Sequence, residues 1–175
     1  MFKKVIISAA TLVALGTVSA SAGDFVDYKK LTHQLKDEAK KSGNIASTAD
    51  VKAALADSKN WAVVDVRTMD EWQAARIPGS QRIGREAPEK ALEGIVLDDN
   101  DKFVKRNIVV VCNTASRAAI EAEAFKKMGF DTVKIYGIET WMNDCNEVDN
   151  WYTNTELNKE KKLKFGKIKA EFCAK

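Results

Sequence analysis

The sequence predicts an α/β domain: an open parallel sheet of about five strands with helices on both faces, plus a helix ahead of it and an extension after it. Three observations predict it. Trp61-Ala62-Val63-Val64-Asp65-Val66-Arg67 and Ile108-Val109-Val110-Val111 contain short runs of mostly β-branched apolar residues, the pattern of strands buried on both faces. Each run leads through a polar turn into residues with helical spacing. The alternation continues over about 110 residues without an internal repeat, which fits parallel strands joined by helical crossovers.

Residues 1–22 are set aside as a signal peptide. Lys3 and Lys4 precede an apolar segment from Val5 to Val18, and Ala20-Ser21-Ala22 offers a small-x-small cleavage site. That segment is short for a membrane span, so no transmembrane segment is expected in the mature protein. Cleavage leaves 153 residues, room for one domain with a core, and losing Lys3 and Lys4 lowers the formal charge from +3 to +1. A charge that small gives no electrostatic basis for nucleic-acid binding. The destination is an oxidising compartment, most simply a bacterial periplasm.

Phe25, Tyr28, Leu31 and Leu35 recur at helical steps, so residues 25–41 read as an amphipathic helix within an N-terminal extension, residues 23–43. His33, the one histidine, falls off the apolar face, and no metal site is expected around it. The domain proper spans residues 44–152. Ile45-Ala46 is a short strand; Ser47 or Thr48 caps a helix to about Ala56, with Asp50 in its first turn. After the strand at residues 61–67, Thr68 caps a short helix carrying Asp70, Glu71 and Trp72. Ile77-Pro78-Gly79-Ser80 is a turn, Ile83 lies on a short strand, and residues 86–94 are helical. Leu97 to Lys105 is a charged connection. Following the strand at 108–111, Ala118, Ala119, Ala122, Phe125 and Met128 mark a helix closed by Gly129. Thr132 to Tyr136 is the last strand. Residues 153–175 form a lysine-rich extension, and its stretch 159–169 reads as a solvated helix over one edge of the domain, the rival being a contact with an acidic partner or anionic lipid.

Cys112 ends the strand at 108–111 and opens the loop Asn113-Thr114-Ala115-Ser116-Arg117. In open α/β sheets this edge binds ligands, and loop N–H groups with a helix N-terminus favour negative charge there. The position suits a reactive thiolate; it also suits a small buried cysteine that fills space.

The ordered set of motifs resembles a single-domain rhodanese, a sulfurtransferase. The resemblance rests on Asp65-Val66-Arg67 followed by Glu71-Trp72, on Ile77-Pro78-Gly79-Ser80, on Cys112 with Arg117 five residues on, on Gly129-Phe130, and on Gly137-Ile138 with Trp141. It departs from the family at Ala115, where glycine is frequent, at Ala118, where serine is, at Ala75-Arg76 and at Tyr136. If position 115 needs a positive φ, alanine there is strained. The resemblance implies transfer of a sulfane sulfur, from a donor such as thiosulfate to cyanide or a thiol, through a persulfide on Cys112. It also implies a cradle made by Asn113, Thr114, Ala115, Ser116 and Arg117, with Arg117 binding the anion. Asp65, Arg67 and Glu71 would brace the wall through an Arg67–Glu71 or an Arg67–Asp65 pair, and Trp72 and Trp141 would be core aromatics. The implied partners are a small sulfur-containing anion and a thiol acceptor, with no cofactor, and the chain is expected to be monomeric. Cysteine phosphatases and arsenate reductases need five residues between cysteine and arginine; here there are four. A carrier or redox-binding module using the same cysteine without turnover is the rival outside enzymes. Cys145 and Cys173 are then left as a possible disulfide, with Cys145 as a relay thiol or both cysteines free as the alternatives.

The exported protein is expected to begin at Gly23-Asp24-Phe25 on N-terminal sequencing; an intact Met1 start in soluble cytoplasm would overturn the address.

Overall fold

The computed structural model describes residues 25–152 and 166–173. The signal-peptide segment and residues 159–165 of the expected tail helix lie outside them. In chain order the main strands are β1 (Trp61–Asp65), β2 (Gln81–Arg82), β3 (Asn107–Cys112) and β4 (Thr132–Gly137). They form one parallel sheet in the order β2-β1-β3-β4. Val63, Val64 and Asp65 pair with Val109, Val110 and Val111, and Cys112 pairs with Gly137. The run Ile108 to Val111 is wholly buried, as a central strand covered on both faces requires.

Helices cover those faces: α1 (Tyr28–Lys41), α2 (Thr48–Ala56), α3 (Met69–Ala74), α4 (Pro88–Val96), α5 (Ser116–Lys127) and α6 (Ile138–Asn143). Side chains alternate along the strands. Val64, Val110, Cys112 and Ile135 pack with Ala39 of α1, Leu92 of α4 and Ala118, Ala122 and Phe125 of α5. Val63, Val109, Val111 and Tyr136 pack with Val51 and Ala54 of α2 and Ile138 and Trp141 of α6. Both short helix starts that flank β1 carry reciprocal capping boxes, Ser47 with Asp50 and Thr68 with Glu71. The Ser47 N–H, followed by Lys134, lowers Asp50 to about 2.

Three expectations are corrected. The expected strand at Ile45-Ala46 is reduced to one parallel bridge between Ile45 and Ile135. The turn at Gly43, φ 69°, and the cap at Ser47 leave too little chain between them for a ladder. Trp72 is only half-buried, with the Arg76 guanidinium 4.2 Å from its ring centre, whereas Trp141 is buried and donates its indole N–H to the Glu147 carbonyl at 2.8 Å. The described end of the expected tail helix is a strand, β6 (Gly166–Ile168), antiparallel to β5 (Val148–Asn150). Ile168 is drawn onto the Val148–Trp141 side of the core, and tertiary pairing overrides the helical spacing of the lysine-rich sequence.

Cys145, ahead of β5, and Cys173, after β6, lie beyond the same end of this small sheet and form a disulfide with their Cα atoms 5.5 Å apart. Their sequence separation is 28, and a loop of that length stabilises by about 3–4 kcal/mol in the chain-entropy model. Replacing both cysteines by serine is expected to lower the unfolding free energy by about 3 kcal/mol in urea titrations, and reduction of the wild type is expected to give the same loss; no change on reduction would show that the bridge does not brace the fold.

Candidate active site

The site is built where β3 stops. Cys112 is 1% exposed and is free of any disulfide. Its Sγ accepts the Ala118 N–H at 3.5 Å. That donor belongs to the first turn of α5, whose leading N–H groups have no acceptor inside the helix. The sulfur therefore sits where unspent donors and the positive end of a helix dipole converge. Ala115 turns the chain into the helix with φ 64°, the left-handed region that glycine tolerates best. The Ala115 carbonyl then accepts the Ala119 N–H at 2.9 Å and starts the helical ladder.

Two backbone contacts fix the loop from behind. The Glu139 N–H donates to the Asn113 carbonyl at 3.2 Å. Gly137 lies so close that a Cβ there would stand 2.9 Å from the same oxygen. A side chain at position 137 would push the loop away from β4, so this glycine is required by close approach. Thr114 is exposed and donates its hydroxyl to Ser116 Oγ at 3.2 Å, at the open rim.

The side chains of the wall are spent on one another. Asp65, fully buried at the end of β1, accepts the Arg67 N–H and Nε at 2.9 and 3.0 Å and Nη2 at 2.7 Å. Arg67 Nη1 donates to Asn113 Oδ1 at 3.3 Å, and Asn113 Nδ2 donates to Glu71 Oε1 at 2.8 Å. Arg117 then grips Glu71 with both Nη groups at 2.7 Å. Arg117 holds Glu71 well below the usual carboxylate range, against the opposing effect of burial, with the Thr68 N–H and hydroxyl adding to the same direction. Glu71 in turn raises Arg117, and the neighbouring Cys112 sulfur pushes the same way.

This geometry sorts the residues singled out in the sequence. Cys112, Asn113, Thr114, Ala115, Ser116 and Arg117 share one loop, with Asp65, Arg67 and Glu71 beside it. The brace for Arg67 is Asp65; Glu71 takes Arg117 instead. Asn113 presents its amide to the wall, and the forked face of Arg117 is occupied by Glu71. Cys145 and Cys173 are bonded to each other and so do not serve Cys112 as a relay. Sequence reasoning missed the contact that makes Gly137 necessary and the Ala118 N–H on sulfur; a glycine at a strand end was the signal for the first, and a backbone donor leaves none.

A cleft of about 320 Å³ runs along the outer side of the loop, between Lys36 of α1, Thr114 and Ala115, and Glu139 and Thr140 of α6. A second cleft of about 310 Å³, beside Trp61, Pro78 and Gly79, lies at the other end of β1 and contains none of these groups. Among the described residues, no cluster of His, Cys, Asp and Glu is arranged to hold a metal ion, and no helix is long and apolar enough to cross a membrane.

A family profile described as Rhodanese-like domain matches residues 47–144, a span that holds every group of the loop and its wall. Among curated proteins, the chain is 30% identical over 122 residues to the "Probable adenylyltransferase/sulfurtransferase MoeZ" of Mycobacterium tuberculosis. That match covers 67% of this chain and 30% of the relative, so the chain spans about a third of the length of the curated relatives it matches. Among solved structures, a polysulfide-sulfur transferase homodimer from Wolinella succinogenes is 24% identical with a TM-score of 0.47, covering 68% of this chain and 90% of that one. A protein from Rhodopseudomonas palustris, described as a possible tyrosine phosphatase, is 20% identical with a TM-score of 0.48, covering 71% and 95%.

Because its folded-state pKa is lowered, Glu71 contributes stability that is fully present above the ordinary glutamate value of about 4.3 and is lost as pH falls from there through the lowered value. Glu71→Gln is expected to cost about 1–3 kcal/mol at pH 7. The gap between wild type and variant in urea titrations should hold down to about pH 5 and narrow below it; a gap that does not change with pH would show that the pair does not hold the loop.

Proposed function

The chain belongs to the rhodanese-like domain family, and on that premise we propose that it is a sulfurtransferase that carries sulfur on Cys112. The observation that carries the reading is the Cys112 sulfur under the first turn of α5, with the Ala118 N–H on it and the Arg117 charge beside it. A sulfur atom that becomes anionic, as thiolate or as persulfide, is stabilised there by groups already oriented.

The reaction is written as two displacements. The Cys112 thiolate attacks the outer sulfur of a donor such as thiosulfate; the S–S bond of the donor breaks, and sulfite leaves with its electron pair. The enzyme then holds a cysteine persulfide. Cyanide or a thiolate attacks the outer sulfur, and the Cys112 thiolate leaves, regenerating the starting state. No net electrons are exchanged with an outside reductant, and neither step needs a side-chain proton donor, because the nucleophile and the leaving groups are anions. Asp65, Arg67 and Glu71 serve as structure. Arg117, held on Glu71, supplies fixed positive charge to an anionic donor rather than a free hydrogen-bonding fork. The four-residue interval from Cys112 to Arg117 favours reach to a single sulfur over wrapping a tetrahedral phosphate. The same proposal places the protein in an oxidising periplasm, and the Cys145–Cys173 bridge fits that setting.

Cys112→Ser is expected to abolish thiocyanate formation from thiosulfate and cyanide, and to abolish the reducible gain of one sulfur in the intact mass, while the fold is kept. Arg117→Ala is expected to raise KM for thiosulfate more than it lowers kcat, since it weakens anion binding in both ground and transition states. Wild-type turnover in the Cys112 variant would overturn the assignment.

A further inference from the structure

Asn113 follows Cys112 directly, where a polar side chain would be expected to face the substrate. The structure turns it the other way. Its Oδ1 accepts from Arg67 Nη1 at 3.3 Å, and its Nδ2 donates to Glu71 Oε1 at 2.8 Å. A guanidinium can only donate and an ionised carboxylate can only accept, so these two partners dictate which way the amide points. Among the shorter side chains, a carboxylate there would satisfy Arg67 and repel Glu71. A hydroxyl has one oxygen to divide between partners on opposite sides. An amide presents an acceptor and a donor on separate atoms, as this gap requires.

Asn113 thereby joins two ion pairs. On one side stands Arg67 on the fully buried Asp65. On the other stands Glu71, gripped by Arg117. The Glu71 oxygen that takes the Asn113 amide is also the one that takes Arg117 Nη2, at 2.7 Å. The last member of the chain, Arg117, closes the loop that Cys112 opens, and the Cys112 sulfur acts on its guanidinium. The loop backbone is held separately, by the Glu139 N–H on the Asn113 carbonyl and by its close approach to Gly137, so the amide is not needed to keep the loop in place.

Resting on the sulfur-transfer reading, we propose that Asn113 is a positioning residue: its amide fixes the Glu71 carboxylate, and so fixes where Arg117 places its charge beside the Cys112 sulfur and an anionic sulfur donor. Asn113 touches neither reacting atom; it acts through Glu71 and Arg117. The rival role is a structural one, in which the amide only satisfies buried polar groups and leaves the field at the sulfur unchanged.

The test compares two alkylating reagents on the full chain, anionic iodoacetate and neutral iodoacetamide, with modification of Cys112 followed by peptide mass. The ratio of the two rates reads positive charge at the sulfur and is insensitive to a loop that is merely looser. N113D keeps the size of the side chain and the acceptor for Arg67 but sets a carboxylate against Glu71. The charged groups that face it are Asp65 and Arg67 from β1 and its continuation, Glu71 from α3 and Arg117 from α5, with Lys36 of α1 and Glu139 of α6 on the cleft beside the loop. At pH 7.5 the iodoacetate-to-iodoacetamide ratio is expected to fall about threefold or more, and kcat/KM for thiosulfate about tenfold. In N113A, which adds no charge of its own, the ratio is expected to fall in the same direction. A ratio within 1.5-fold of wild type in both variants, or equal slowing or speeding of both reagents, would overturn the positioning role. Should the wild type form no thiocyanate while the ratio still responds, the sulfur-transfer reading falls and the positioning of Arg117 stands.

Discussion

The Glu71 carboxylate is the joint on which the site depends. Its Oε2 accepts the Thr68 N–H at 3.0 Å and closes the cap of α3, and the same oxygen takes Arg117 Nη1. Its Oε1 takes Arg117 Nη2 and the Asn113 amide. One side chain thus ties the helix that follows β1 to the loop that follows β3. A pair of this kind differs in scale from the ion pairs on the surface. The Arg106–Asp131 pair is half-exposed at both ends, where water and salt screen it and little of its attraction survives as stability. The Arg117–Glu71 pair is bidentate and largely shielded, where charge-assisted hydrogen bonds are worth roughly twice neutral ones.

That joint is useful because the sheet has already brought its two sides together. β1 and β3 are adjacent and in parallel register, Asp65 beside Val111, so the residues after each strand emerge at the same edge. The Asp65–Arg67 pair sits below this edge with almost no exposure. Burying two charges costs more than a single salt bridge returns unless the remaining hydrogen-bonding capacity is met. Here Arg67 is also spent on the Ala75 carbonyl and Asn113, and its own carbonyl accepts Arg82 Nε at 3.1 Å. The loop can then carry Ala115 at positive φ, a strain of about 1 kcal/mol that its anchors outweigh.

The far side of the domain is tied differently. β5 and β6 make a two-stranded sheet too small to hold by itself, and it gains its stability from its attachments to the domain. Val148 and Ile168 pack on the Trp141 cluster, Asp149 bridges to Arg76, the Asn150 amide donates to the Ala74 carbonyl, and the Cys145–Cys173 bond joins the chain ahead of β5 to the chain after β6. Trp141 belongs to both regions, since α6 begins immediately after Gly137, the residue that lets the Cys112 loop approach β4.

The sequence by itself determined the parallel α/β fold, most of its helices and central strands, and the position of Cys112 between a buried strand and a helix. These are legible because local rules govern them: β-branched runs, capping boxes such as Thr68 with Glu71, and apolar residues at helical spacing. Only the tertiary structure decided which charges pair. Arg67 had two acids in reach along the chain, and its choice of Asp65 over Glu71 follows from Arg117 arriving from a helix 46 residues away. The inward turn of Asn113 is of the same kind, because its two partners come from the segment after β1. The strand at Gly166–Ile168 was hidden under helical spacing for a similar reason: its partner, Val148–Asn150, is distant in sequence, and pairing energy there exceeds a weak local preference. Local spacing fixes elements; partners supplied by distant segments fix charges, edges and the direction in which a polar side chain points.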